Sequence, residues 1–482
     1  MSASDRSARR LLLGIRLIVL LCAGYFFGGA SDNQRSRLYA TYSFVEPAAQ
    51  DSGTFRIDEF RHPHGKSGTV DWALHAGHYY SNKAPGSIWL GVLAYAPLVL
   101  IERSLGLSLD SPRVVLINAY LINLAVSVLP LVLGVVAMFS LALALGASRA
   151  HACWVALATT LGTLWFPYST QLWGHTTAAA FTALALVQVQ RSTPRSALLA
   201  GLCAGLAVCS DYLAIISALA IAAWLALRRP RLLPQLALGA LPTVAALLTY
   251  HAVCFGSPLA TASQMSNPIV LQSGLALGMF GTVSLPALWS ITLGISRGLF
   301  VHCPVLLLSA VGFFYWIKRT PRDPLPYVCL IASLAFFAAN ASFNGWHGGA
   351  TVGSRYLICA LPFLGIPLAM LPRGKPGVWI AGGLSALSAA NMLAVAAVSP
   401  LAPEGHQNPL YSHTYSFFFS GALTPWALPI RSMDLDSSWP QLKLLTMCNL
   451  GELMGLSGLP SLLPLLLSVA TVAALCLRDL SP

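Results

Sequence analysis

Three features of the sequence predict an all-α, polytopic transmembrane helical bundle. Only 9% of the 482 residues are charged and 56% are hydrophobic, whereas soluble domains run near ~25% charged. The mean hydropathy is +0.69, and apolar runs long enough to cross ~30 Å of hydrocarbon recur along the whole length. These runs are unbroken, where a β-barrel would show short alternating segments. The bases sit in short clusters between the runs: Arg6, Arg9 and Arg10; Arg191 and Arg195; Arg228, Arg229 and Arg231; Lys318, Arg319 and Arg322; Arg373 and Lys375. That is how cytoplasmic loops are marked. The net charge of +12 therefore reports topology, and no nucleic-acid partner is expected.

The basic MSASDRSARR precedes LLLGIRLIVLLCAGYFFGGA, which reads as an uncleaved first span with its N-terminus inside. Residues 31–86 then form the first extracytoplasmic loop. Residues 87–101 return to the inner side. The stretch 114–145, interrupted by Pro130, is either one long tilted span or a tight hairpin, and 197–227 poses the same choice. Spans are expected at 152–167 and 175–190, joined by the outer turn FPYSTQLWGH, and at 234–255. Further spans fall at 298–317, 326–342, 355–372, 377–399 and 459–477, giving roughly 11–14 in all on a ~20-residue criterion. Residues 400–458 read as a late extracytoplasmic segment. Residues 1–482 form a single integral membrane domain, placed in a cell membrane such as a bacterial inner membrane. The ten cysteines are scattered through apolar runs without CxxC or Cys/His ligand spacing, so neither a zinc site nor a disulfide framework is indicated.

The polar stretch TFRIDEFRHPHGKSGTVDWALHAGHYYSNKAPG, residues 54–86, stands apart. With Asp51 beside it, it holds four of the 16 carboxylates, Asp58, Glu59 and Asp71 being the others. His62, His64, His75, His78, Lys66 and Lys83 accompany them. Thr69 as N-cap and Gly77 as stop predict a short interfacial helix that aligns Asp71, His75 and His78. Two later clusters are expected on the same membrane face: WFPYSTQLWGH, with Tyr168 and His175, and FNGWHGGATVGSRYL, with Trp346, His347, Arg355 and Tyr356. Asp211, in VCSDYLAI, is an acid in an apolar run, either functional or at a hairpin tip.

An acid-bearing outward loop followed by GHYYSNKAPG, immediately before the second span, resembles the GT-C superfamily of membrane glycosyltransferases. The branch containing protein O-mannosyltransferases and the lipid A aminoarabinose transferase (glycosyltransferase family 39-like) is the nearest in pattern. Its tyrosine–Lys–(Ala/Pro)–Pro element is matched by Tyr79, Tyr80, Lys83, Ala84 and Pro85. GSRYLICALPFLGIPL is similar to the family's arginine–tyrosine element, and FGSP and SRGLF look like segments of bacterial members. The family commonly carries an Asp-Glu pair directly after the first span. Here Asp32 is followed by Asn33, so the base is Asp32, Asp58 or Asp71.

The resemblance implies a sugar donor carried on a polyprenyl phosphate and a lipid, glycan or protein hydroxyl as acceptor, with inversion at the extracytoplasmic face. A carboxylate must accept the acceptor's proton, and cations must stabilise the departing phosphate. Lys83 and Arg355 fit the phosphate role. Tyr79, Tyr80, His78, His175, Trp72, Trp346 and His347 are candidates for holding substrate. No nucleotide-binding Gly-rich loop is present. Acids are available for a divalent metal cofactor, but no ligand spacing demands one. Each reading has a plainer rival. Asp71 would only complement a helix start, Asp58 and Glu59 would be a solvated pair, Lys83 would snorkel, and Arg355 would anchor topology. At the level of the whole protein the rivals are a transporter or flippase of lipid-linked saccharides, and a surface polysaccharide polymerase or ligase. Transporters place ionisable groups near the bilayer midplane, whereas here charge is concentrated in loops.

Overall fold

Apolar runs become helices in the computed structural model, which describes residues 3–29, 31–47, 49–60, 68–268, 275–372, 374–423 and 448–478. His62, His64, Lys66 and Arg373 lie outside the described residues, as does much of the late segment 400–458. Among the described residues, six helices are long and apolar enough to cross a bilayer, and three shorter apolar helices accompany them. Large apolar side chains face outward, among them Leu93 at 72%, Val253 at 68% and Leu467 at 68% exposed. So much outward apolar surface on separate helices requires hydrocarbon around it, and the protein is a multi-pass membrane protein.

The first helices are α1 (Ala3–Gly24), α2 (Asp32–Val45), α3 (Gly86–Ser104), α4 (Pro112–Asn123), α5 (Leu129–Ala144) and α6 (Arg149–Thr160). They continue with α7 (Gly174–Gln190), α8 (Pro194–Ser210), α9 (Ile215–Arg228) and α10 (Leu233–Phe255). The choice left open over 114–145 resolves as one nearly continuous helix, α4–α5. It is interrupted only by a π-helical turn at Leu124–Val128. Pro130 explains the turn: its ring crowds the carbonyl four residues back, and a wider turn relieves that clash. The 197–227 stretch resolves the other way, as a hairpin of α8 and α9 broken at Asp211.

Small residues set how closely the helices approach. A Cβ at Gly201 would overlap the Leu236 carbonyl, and one at Gly239 the Leu198 carbonyl. Gly205, one turn beyond Gly201, faces Thr243. This small-xxx-small seam lets the α8 and α10 backbones touch, as association within lipid requires. Beside the main core, α2, α3 and α4 close a second one around Phe27, Tyr39, Tyr42, Ile88, Tyr95 and Ile122. Within it Tyr95 Oη donates to Glu46 (2.8 Å) and Asn118 Nδ2 to Glu102 (3.1 Å).

The helix expected between Thr69 and Gly77 is a β-hairpin instead, with strands Trp72–His75 and His78–Ser81 in antiparallel register, Trp72 opposite Ser81 and His75 opposite His78. The turn is the pair Ala76–Gly77, with φ of 50° and 84°. Two consecutive positive φ values match a tight hairpin turn whose twist suits the strands, and glycine takes the second position without strain. The cap-like Thr69 gave the wrong period. Thr69 instead donates to the Asp32 carbonyl (2.7 Å) and accepts from Asp71 N (3.1 Å), tying the hairpin base to α2. The alternation sends Tyr79 to one face, edge-on to Trp72 at 5.1 Å. Tyr80 goes to the other, in a small core with Ala73, Tyr250 and Phe255.

Candidate active site

The hairpin base, the start of α3 and the first turns of α2 and α7 meet at one point. Two glycines allow it. A Cβ at Gly86 would run into the Cys209 carbonyl, and one at Gly174 would overlap the Ser210 carbonyl. The helix N-termini of α3 and α7 therefore press against the end of α8, and neither start is capped by its own N-cap side chain. Ser36 stitches α2 to the hairpin, donating to Asp71 O (2.6 Å) and lying 2.7 Å from Ser81 Oγ.

Lys83 and Asp71 form an ion pair at 2.9 Å, with side chains only 18% and 19% exposed. Arg37, 4% exposed, lies beside them. Its Nε donates to Ser87 Oγ (2.8 Å), and its Nη1 reaches the Asn33 carbonyl (3.0 Å) and the Asn33 side chain. Arg355 completes the set. Its guanidinium is sandwiched between Trp173 (4.4 Å) and Tyr356 (4.8 Å) and donates to Tyr356 Oη (2.9 Å). Its Nε is buried without a hydrogen-bond partner. Stacking holds the plane of the fork while leaving donors free, which suits an incoming oxyanion.

The electrostatics follow from this crowding. Burial would raise the Asp71 carboxyl, but Lys83, with Arg355 and Arg37 beyond it, holds it below its ordinary value. Burial lowers the Lys83 ammonium, and Arg37 and Arg355 press it further down against the pull of Asp71. Burial likewise brings Arg37 down to about 10 despite Asp71 and Asp211. Three cations, Arg37, Lys83 and Arg355, surround Asp71, with Asp211 a second carboxylate within reach of Arg37. Two helix N-termini add to the positive side.

Of the residues singled out from sequence, Asp71, Lys83 and Arg355 come together here, and His175 is adjacent, its ring edge-on to Tyr356 at 5.5 Å. Asp32 is at the margin, 47% exposed, accepting from Val70 N (3.2 Å) and 4.0 Å from Arg35. Asp58 is elsewhere: it accepts from Tyr79 N (2.8 Å) and pairs with His78 Nδ1 (2.9 Å) near the hairpin tip. Three residue steps along the strand separate Ser81 from His78, about 10 Å of rise. His78 and Asp58 thus stabilise the hairpin away from Lys83, and Tyr80, 6% exposed, is a core residue. Trp346 lies edge-on to His347 (5.7 Å), and His347 faces Glu404 (3.7 Å).

Sequence reasoning missed Arg37, Trp173 and Cys359. Arg37 sits in SDNQRSR, directly after the first span, where the signal was its place beside Asp32. It also missed Arg297, 3% exposed, whose Nη2 donates to Gly349 O (2.9 Å) behind Arg355. Asp211 caps the turn after α8 through Leu213 N (3.0 Å). Its Oδ2 bonds His175 Nδ1 and lies 3.6 Å from Cys359 Sγ. No local spacing predicts that group, which joins residues far apart in the chain.

No protein-family model and no curated protein sequence matches the chain. Among solved structures it is similar to ArnT from Cupriavidus metallidurans bound to undecaprenyl phosphate, with a TM-score of 0.48 and 14% identity over 82% of this chain and 64% of that one. It is also similar to the Archaeoglobus fulgidus oligosaccharyltransferase AglB in complex with an inhibitory peptide and a dolichol-phosphate, with a TM-score of 0.46 and 13% identity over 91% of this chain and 62% of that one. The chain spans a little under two thirds of the length of each.

Proposed function

We propose that this protein is a membrane glycosyltransferase of the GT-C type. It moves a sugar from a polyprenyl-phosphate donor to a hydroxyl acceptor at the extracytoplasmic face, with inversion. The observation that carries this reading is the convergence of Arg37, Lys83 and Arg355 around Asp71, where the N-termini of α3 and α7 press on the end of α8. Such an arrangement binds an anion and grows more favourable as negative charge develops on it.

In the reaction, the acceptor oxygen bonds to the anomeric carbon while the bond from that carbon to the phosphate oxygen breaks. The electron pair leaves with the polyprenyl phosphate, and the acceptor's proton passes to Asp71. One displacement inverts the anomeric centre. Asp71, held below its ordinary carboxyl value, is ionised and ready as the base. Lys83 exchanges part of its contact with Asp71 for the phosphate, and Arg355 meets the phosphate with the donors its aromatic sandwich leaves free. Arg37, fixed by Ser87 and Asn33, strengthens the field. An apolar cavity of about 730 Å³ lined by Leu288, Trp289, Phe300, Phe313, Leu334 and Phe337 suits a prenyl chain.

The test incubates purified protein with radiolabelled polyprenyl-phosphate sugars and follows label release in wild type, Asp71→Asn and Lys83→Ala. Loss in both variants is expected. Unchanged turnover in both sinks the site assignment, and no turnover by the wild type with any lipid-linked sugar sinks the class.

A further inference from the structure

We propose that His175, Asp211 and Cys359 form a binding site for a zinc-class divalent cation. The ion staples three helix ends together behind Arg355. The inference stands on these three side chains and is independent of the transferase reading.

The ligand atoms come from three elements: His175 from the first turn of α7, Asp211 from the break between α8 and α9, and Cys359 from the 3-10 segment Arg355–Ala360. All three residues are buried, and their ligand atoms lie within 4.8 Å of one another. Ligands at ~2.0–2.3 Å from a tetrahedral zinc stand ~3–4 Å apart, so small side-chain adjustments suffice. The carboxylate is already oriented for it. Asp211 Oδ1 is held by Leu213 N, and Oδ2 is the atom shared by His175 Nδ1 and Cys359 Sγ.

The donor set chooses the metal. Thiolate, imidazole and carboxylate together suit zinc or a neighbouring late transition metal, whereas magnesium and calcium take oxygen ligands. Binding releases one proton, from the Cys359 thiol; His175 stays neutral by carrying its proton on Nε2. Thiolate and carboxylate then cancel the ion's charge inside a buried site. The same geometry also closes as a hydrogen-bonded hub around Asp211 without metal, and the two arrangements differ in a direct measurement.

The consequence is positional. Cys359 is one helical turn from Arg355, and His175 packs on Tyr356, which accepts from Arg355. An ion here fixes the Arg355 backbone against α7 and α8.

The experiment uses the full chain, purified in detergent without chelator from zinc-supplemented cells, and measures metal by mass spectrometry. About one equivalent of zinc is expected in wild type and under about a tenth in Cys359→Ala and Asp211→Asn. To keep the test independent of how those variants fold, chelator-stripped wild type is also titrated with Co²⁺. A thiolate-to-cobalt absorption band saturating at about one equivalent is expected. Wild type that holds no zinc and shows no such band overturns the proposal in favour of the hub, as does zinc retained undiminished in Cys359→Ala.

Discussion

The hairpin carries an acid–base pair at each end, and the two pairs differ in almost every physical respect. At the tip, Asp58 and His78 are 27% and 38% exposed and bond mainly to each other and to the adjacent Tyr79 backbone. At the base, Asp71 and Lys83 are less than a fifth exposed. They share their surroundings with Arg37 and Arg355, brought in from distant segments of the chain. The tip pair is what a hairpin needs to close. The base pair lies in a group of buried charges, an arrangement that is unfavourable unless the charges are well paired. Carboxylate density along the sequence drew attention to both ends equally; burial and convergence separate them.

Substitutions at the base should have the largest effects. Asp71→Asn is expected to lower turnover by about 10²–10⁴-fold through loss of the base, measured as sugar release under saturating donor. Lys83→Ala and Arg355→Ala should each lower it by about 10²–10³-fold, the usual loss when one group stabilising developing charge is removed. Arg355→Lys should recover little of this, because an ammonium cannot stack between Trp173 and Tyr356 and still present a fork.

The pH profile sharpens the contrast. Asp71 is depressed by its cationic neighbours, so it remains a base down through the ordinary carboxylate range and the acid limb of activity lies below that range. Its stabilising contribution is present above the unfolded value and is lost as pH falls through the depressed folded value. Lys83 is lowered by burial and by Arg37 and Arg355, so the alkaline limb lies below the ordinary lysine value. Between the two Lys83 values the unfolded chain holds the proton more firmly, and stability rises with pH across that window. Lys83→Arg should move the alkaline limb upward in a kcat/KM profile.

The smallest effect is expected at the tip. Asp58→Asn should leave turnover within about two-fold and lower stability by about 1 kcal/mol, the net value of a partly exposed hydrogen bond. A loss at Asp58 matching that at Asp71 would erase the distinction between the two ends.

How much was legible in the sequence follows the range of the interactions. The apolar runs announced a polytopic helical protein, because in hydrocarbon a segment must satisfy its own backbone. Lys83 and Arg355 drew notice because each sits in a short element at the mouth of a span. The hairpin was misread as a helix. Thr69 looks like a cap, and the alternation of WALHAGHYYS competes with it over a stretch too short for periodicity to decide. Asp211 could be read two ways, and the tertiary structure puts it at a hairpin tip with His175 and Cys359 around it.

The sequence by itself determined the class of solvent this chain folds in, its helical character and the polar loop where charge collects. These depend on composition and on contacts within a few residues. Only the tertiary structure decided that Arg37 joins Lys83, that Asp58 does not, and that Cys359 faces Asp211. Those choices depend on which glycines let helix ends touch, Gly86 and Gly174 above all, and close approach between distant segments leaves no mark in local spacing.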